Sequence, residues 1–180
     1  MKHLIEKFYK RNTIFTGRAV GFRVDEVVLP NGKHATREYM DHPGAVAVIP
    51  FVDKDTIIMV RQYRHPVGRV TLEVPAGKLD KGEKPMACVK RELQEETGYR
   101  AAEIIKLNSF WPTPAFANEV IHIYSATNLV PAKQNPDEDE FIDTVKVKYA
   151  QALKMVKNGK IKDSKTVIAI LWHACFQNNK

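Results

Sequence analysis

Cysteine is scarce in this chain of 180 residues: Cys88 and Cys175 are the whole complement. Two thiols so far apart make neither a disulfide framework nor a metal-binding spacing, which fits a reducing cytoplasm. Long apolar runs are missing as well. None approaches the ~20 residues of a membrane-crossing helix, so no membrane partner is expected. The opening Met1-Lys2-His3 leads into mixed charged residues, not an apolar signal core, which reads against export. Internal repeats and low-complexity tracts are lacking too. What is present is ordinary for one soluble globular domain with a real core: 44% hydrophobic and 27% charged residues. The net charge is +7, from 28 Lys and Arg against 21 Asp and Glu. These bases are scattered, from Lys2 to Arg11 and from Lys146 to Lys165, with no interleaved aromatics. That pattern suits a protein that attracts small polyanions better than one that grips nucleic acid, and no nucleic-acid partner is expected.

Along the chain, residues 1–10 carry little pattern and suit a short helix or an unpaired arm. Thr13 to Leu29 alternates loosely and reads as one or two strands. Pro30-Asn31-Gly32 is a hairpin signal, because Asn-Gly accepts the positive φ of tight turns, and Lys33 to Asp41 is the return strand. The resulting antiparallel arm is either a flap or a dimer contact. Gly44 to Phe51 reads as a buried strand by apolar density, Thr56 to Arg64 as a second and Thr71 to Pro75 as a third. Arg61, Gln62, Tyr63, Arg64 and His65 make the end of the second either an anion-site edge or a solvated strand end. Ala101 to Phe110, Glu119 to Thr127 and Phe141 to Val147 read as strands. Asn128 to Asp139 reads as a long polar surface loop running into the acids Asp137 to Glu140. Tyr149 to Asn158 and Asp163 to Phe176 read as helices, the second capped by Asp163 or Ser164. Strands before, around and after a central helix imply an α+β fold: a mixed sheet with helices on its faces.

That central helix carries the chemistry. Pro85 suits a first turn, Lys84 to Thr97 has no breaker, and Gly98 is a natural stop. At about 100° per residue, Met86, Val89 and Leu93 form one core-facing arc, while Glu92, Glu95 and Glu96 form a second about a quarter turn away. Three carboxylates on one face repel unless a cation sits among them, and a Mg²⁺ site needs one or two carboxylates with phosphate and water oxygens. Arg91 lies outside the acid arc and can reach back to Glu83, pinning loop to helix. Glu83 itself either contributes to the metal or serves only as Arg91's partner. Gly77 lets the backbone come close to a bound group, and the Ala76 carbonyl just before it is a candidate metal ligand. Cys88 reads as a small filler. Gly77, five residues, Glu83, seven residues, then Arg91-Glu92-Leu93-x-Glu95-Glu96-x-Gly98-Tyr99 fixes nine positions. With about one chance match in ten at each, the joint odds are on the order of one in a billion.

This spacing resembles the signature of Nudix hydrolases at all nine positions. Pro114, sixteen residues after Gly98, resembles the marker of the ADP-ribose pyrophosphatase group within that family. The surrounding TPAFANE is similar to that group's S-P-G-x-x-x-E, with Thr113 and Ala115 in place of Ser and Gly and with Glu119 keeping the acidic position. The hairpin, Thr36-Arg37-Glu38, HPGAVAV and RQYR match as well, so the likeness runs from about residue 13 to 176.

The resemblance implies an α-β-α sandwich spanning residues 43–180, with the arm, residues 1–42, exchanged in a homodimer. It implies a hydrolase that cuts ADP-ribose to AMP and ribose 5-phosphate with Mg²⁺, or Mn²⁺ in its place. Glu92, Glu95, Glu96 and the Ala76 carbonyl would hold the metal. Arg18 would pack by the adenine, Arg37 and Arg64 would contact phosphate or terminal ribose, and Glu38 a polar edge of the substrate. Pro114 and Glu119 would belong to the substrate-binding set, and Gly77, Glu83, Arg91 and Gly98 would support the loop and helix. In this group the base comes from the loop before the last strand. Glu138 would then be the base and Glu140 would assist the metal, although on residues alone the acidic run is a hydrated turn. The alternatives are another nucleoside diphosphate derivative as substrate, a nucleotide-sugar or dinucleoside polyphosphate, and a nucleotide-binding module without catalysis. Retention of all three helix glutamates speaks against the last.

Overall fold

A computed structural model describes residues 1–136 and 138–176; Asp137 of the acidic loop lies outside the described residues. The chain forms two compact units, one of residues 1–44 with 111–120 and one of residues 45–110 with 121–180.

The first unit is built on a three-stranded antiparallel sheet of β1 (Lys7–Thr16), β2 (Gly21–Val28) and β3 (His34–Asp41), in the order β1-β2-β3. Its β2–β3 turn is the expected one. Gly32 takes φ +82°, and the Asn31 side-chain oxygen accepts the Lys33 N–H at 3.0 Å. Strand β1 begins at Lys7, well ahead of the expected Thr13. It is an edge strand whose residues are nearly all exposed, so no in–out alternation marks it in the sequence. It is held to the sheet by its backbone ladder and by Arg11, which forks onto Asp25 with two bonds of 3.0 Å. Asp25 is buried and also accepts the Tyr39 hydroxyl at 3.2 Å. The segment Trp111–Val120 joins this unit through β3: the Met40 N–H donates to Phe116 O at 2.8 Å, and the Asn118 side chain bonds Asp41 at 2.7 Å.

In the second unit, β4 (Ala45–Pro50) is the axis. One sheet has the order β7-β4-β9-β8, with β7 at Ala76–Lys78, β9 at Ile121–Pro131 and β8 at Tyr99–Phe110. The β4–β9 pair is parallel and the others are antiparallel, so the sheet is mixed. A second, antiparallel sheet is β10 (Ile142–Lys148), β5 (Thr56–Arg64) and β6 (Arg69–Glu73), in the order β10-β5-β6. Every residue of β4 is buried, and its alternation sorts two cores. Ala45, Ala47 and Ile49 pack with Ile57 and Met59 of β5, and with Ala152 of α2 (Tyr149–Lys157) and Ala169 and Ile170 of α3 (Ser164–Phe176). Val46 and Val48 face the other way, onto Cys88, Val89 and Leu93 of α1 (Pro85–Thr97) and onto Tyr124 and Ala126 of β9. A mixed sheet with helices on both faces is the expected α-β-α sandwich of α+β class.

Three local readings need correction. Met86, in the first turn of α1, is exposed, and Cys88 takes its expected place in the core beside Val89 and Leu93. Strand β9 does not stop at Thr127. Its residues Leu129, Val130 and Pro131 pair with Ala101, Arg100 and Tyr99 of β8, and the strand passes through Asn128 at φ +55°. Polarity and a proline signal a loop here, but a proline at a strand end costs the ladder little. Finally, β6 runs over Arg69–Glu73, and the chain makes a separate short strand, β7, at Ala76–Lys78.

Candidate active site

Helix α1 starts at Pro85 and ends where Gly98 takes the left-handed conformation, φ +72°, its N–H closing on Gln94 O at 2.9 Å. Between these ends, Glu92 is 8% exposed and Glu96 2%. Both carboxyls therefore lie in the buried arc of the helix, against β7. Glu96 accepts the Ala76 N–H at 3.0 Å. Glu92 lies over Gly77: a Cβ there would stand 1.8 Å from the Glu92 carboxyl carbon. Glycine at this position lets the carboxylate come this close to the strand.

Burial of two carboxylates is costly unless they are neutralised or paired. Burial raises the pKa of Glu92 to about 7, with Glu95 and Glu140 adding repulsion that partly offsets the pull of Arg91. Glu96 is raised to about 8, again by burial first and then by the charges of Glu92 and Glu140, against the Ala76 hydrogen bond. Arg91 is the cation inside this cluster. Its Nε and Nη2 fork onto Glu83 at 3.1 and 2.9 Å, and its Nη1 bonds Glu92 at 2.7 Å and Glu95 at 2.9 Å. Nη2 also reaches the Lys78 carbonyl at 3.2 Å. Arg91 thus joins loop to helix through Glu83, but it does not stand outside the acid set as helical angles alone place it; a long side chain reaches beyond its own arc. Glu83 also accepts the Asp80 N–H, and Arg91 holds its carboxyl down at about 2.

Among the described residues, no group of three or more His, Cys, Asp or Glu side chains is gathered so as to hold a metal ion. Glu95 is drawn to Arg91 instead. The donor set nevertheless fits a hard divalent cation, which takes one or two carboxylates and completes its shell with phosphate and water. Glu92 and Glu96 are oxygen donors one turn apart whose mutual repulsion a cation would relieve.

The acidic loop contributes unequally. Glu140 is half-buried and its charge is felt at both Glu92 and Glu96, whereas Glu138 is exposed. Arg64, at the end of β5, forks onto Glu73 at 2.9 and 2.7 Å. Glu73 escaped the sequence reading; its only signal was a lone acid closing an apolar strand just before Pro75-Ala76-Gly77.

In the first unit, Arg37, Glu38 and Pro114 come together in one cavity of about 540 Å³, also lined by Tyr39, Trp111 and Phe116. Arg37 forks onto Glu6, through Nε at 2.9 Å and through Nη2. Arg18 lies apart from this cavity's lining, exposed in the turn between β1 and β2. Glu119 stands 3.6 Å from His42 Nδ1.

Two outcomes are expected. Gly77→Ala should leave the fold intact, since only the flexible end of Glu92 has to move, but should displace that carboxyl and cut kcat by ~10²-fold or more; near-normal turnover would remove the close approach from the mechanism. The second outcome concerns pH. The folded-state values of about 7 and about 8 lie above the ordinary 4.5. The protonated carboxyls therefore favour the folded state, and that stabilisation is lost as pH rises through 8. In chelator, the thermal midpoint should fall over this window. Excess Mg²⁺ should raise it more above pH 8 than at pH 5, and an equal rise at both would speak against these two ligands.

Comparison with known proteins bears on the family and the fold. A family model described as NUDIX domain matches residues 41–168. An ADP-ribose pyrophosphatase of Bacillus subtilis is 45% identical over 94% of this chain and 93% of its own length. A methanol dehydrogenase activator of Bacillus methanolicus is 48% identical over 92% of this chain and 90% of its own. An ADP-ribose pyrophosphatase of Mycobacterium tuberculosis is 37% identical over 88% of this chain and 78% of its own. A crystal structure of an ADP compounds hydrolase superposes with a TM-score of 0.83 at 22% identity, covering 96% of this chain and 94% of that one, a likeness of fold. With the signature helix, the buried glutamate pair and the family match over most of its length, the chain belongs to the NUDIX domain family.

Proposed function

We propose that this protein hydrolyses the pyrophosphate bond of ADP-ribose, giving AMP and ribose 5-phosphate, with Mg²⁺ as cofactor and Mn²⁺ able to replace it. The observation that carries the chemistry is the pair of buried carboxylates, Glu92 and Glu96, packed on Ala76 and Gly77. The substrate rests on the relatives named ADP-ribose pyrophosphatase. The cavity that gathers Arg37, Glu38 and Pro114 with Tyr39, Trp111 and Phe116 supports it, because a nucleotide offers a planar base to the aromatics and anionic oxygens to the arginine.

Glu92, Glu95, Glu96 and the Ala76 carbonyl would hold the metal, which when bound neutralises the diphosphate and polarises the bond to be cut. Glu138 takes a proton from the attacking water as its oxygen bonds phosphorus and the bridging P–O bond breaks, and Glu140 supports the metal ligands. The position of Glu140, close enough for its charge to act on both buried glutamates, supports its share. Arg64 and Arg37 bind phosphate or terminal ribose, Arg18 packs by the adenine, and Glu38 and Glu119 take polar edges of the substrate. Gly77, Glu83, Arg91 and Gly98 hold the loop and helix in place.

We further propose that the arm, residues 1–42, makes a homodimer. Phe8, Tyr9, Ile14 and Phe15 of β1 are each about 60% exposed, an apolar concentration that soluble monomers seldom leave uncovered. A second reading of function is carried by the relative named as a methanol dehydrogenase activator, in which the chain would act on a partner enzyme; the complete carboxylate set favours catalysis.

The test is a panel of nucleoside diphosphate derivatives with Mg²⁺ and products separated by chromatography. AMP from ADP-ribose at far higher kcat/KM than from any other member is expected; a GDP-sugar as the best substrate would overturn the assignment. Glu96→Gln should abolish turnover in a folded protein. Glu138→Gln should lower kcat by ~10²-fold or more, and the same loss confined to Glu140→Gln or Glu119→Gln would move the base there. Light scattering should give twice the 20.5 kDa chain mass, and Phe8→Asp/Phe15→Asp should halve it; a monomeric wild type would end the dimer proposal.

A further inference from the structure

Glu73 closes β6 and is 1% exposed, among the most buried charged groups described. It accepts two bonds from Arg64, one from the Thr71 hydroxyl at 2.6 Å and one from Lys165 Nζ. Lys165 also bonds Asp163 at 2.9 Å. Asp163 caps α3 by accepting the Thr166 N–H at 3.0 Å, and the Thr166 hydroxyl accepts the Val74 N–H at 3.0 Å. Two acids and two bases therefore tie the end of β5 and the end of β6, shortly before β7 in the chain, to the first turn of α3.

Such a lattice is weak ground for stability, because apolar residues of similar volume often do as well or better. Its use is better sought in what it leaves outside. Arg64 keeps 39% of its side chain exposed while its partner Glu73 keeps 2%. The guanidinium spends Nε and Nη2 on Glu73, and Nη1 has no partner among the described residues. The charge of Glu96 is felt at Arg64, so this free donor belongs to the neighbourhood of the buried glutamate pair. A forked guanidinium is fixed in plane as well as in place, which a lysine ammonium is not.

We propose that Glu73 is a positioning residue for the reaction: it locks the Arg64 guanidinium so that Nη1 is presented to an anionic oxygen of the diphosphate. This rests on the pyrophosphatase reading above. Locking the side chain before substrate arrives removes rotamer freedom that binding would otherwise have to remove. Although burial pushes the Glu73 carboxyl up, Arg64 and Lys165 outweigh it and hold it at about 2, so the lock stays charged throughout the working pH range.

A double-mutant cycle between Glu73→Gln and Arg64→Ala tests this, read as kcat/KM with thermal unfolding alongside. Glu73→Gln leaves two cations facing one acid and risks misfolding. Glu73→Gln/Lys165→Met, which removes one charge of each sign, is therefore run in parallel. Either change should lower kcat/KM by roughly 30-fold in the wild-type background and by less than about 3-fold more once Arg64 is alanine, the non-additivity of groups acting as a unit. Equal factors in both backgrounds, or a lowered midpoint with unchanged kcat/KM, would overturn the proposal. If the wild type ignores ADP-ribose, the substrate reading fails by itself, and the same cycle is read on the best diphosphate of the panel.

Discussion

Two carboxylates held out of water against a backbone strand are the constraint on which the second unit turns. Glu92 and Glu96 can lie there only because Gly77 has no side chain and the Ala76 N–H is available as a donor. Arg91 then joins Glu83, Glu92 and Glu95 through one guanidinium, so the loop before the helix is held by the same group that tempers the acids. The helix, the short strand and the loop form one electrostatic object. The energetic cost of burying the acids is one that a divalent cation among them would relieve.

The helix was legible because its signals are local. Pro85, the unbroken run to Thr97 and Gly98 fix its ends, and i, i+3, i+4 spacing gathers the acids. Burial was not legible, because it depends on what strands 45–50 and 76–78 bring across. Arg91 at the centre of the acids also escaped, since a backbone angle does not fix where a long side chain ends. The buried lattice on Glu73 was hidden for the same reason: its partners Arg64 and Lys165 are scattered in sequence and meet only in the fold. The first part of β1, from Lys7 up to Thr13, went unseen because an exposed edge strand has no face pattern to show.

The first unit is specified by a different kind of contact. Its sheet is held by polar forks, Arg11 on Asp25 and Arg23 on Asp41, where the second unit relies on apolar burial. The segment Trp111–Val120 lies on it through backbone bonds to β3, so Pro114 and Arg37, distant in sequence, share one cavity wall. The Thr113 and Ala115 replacements fall in this same segment and leave that assembly standing.

Strand β4 has a consequence for how this protein can change. One face of it supports α1 and the other supports α2 and α3, while its edge hydrogen-bonds the strand under the acids. Six consecutive residues therefore serve two hydrophobic interiors and the strand on which the buried glutamates rest together. A lineage seeking a new substrate has little freedom in this strand, because a change there disturbs heat resistance and turnover at once. The hairpin and the proline loop, which belong to the first unit, carry no such double duty and have more freedom to change.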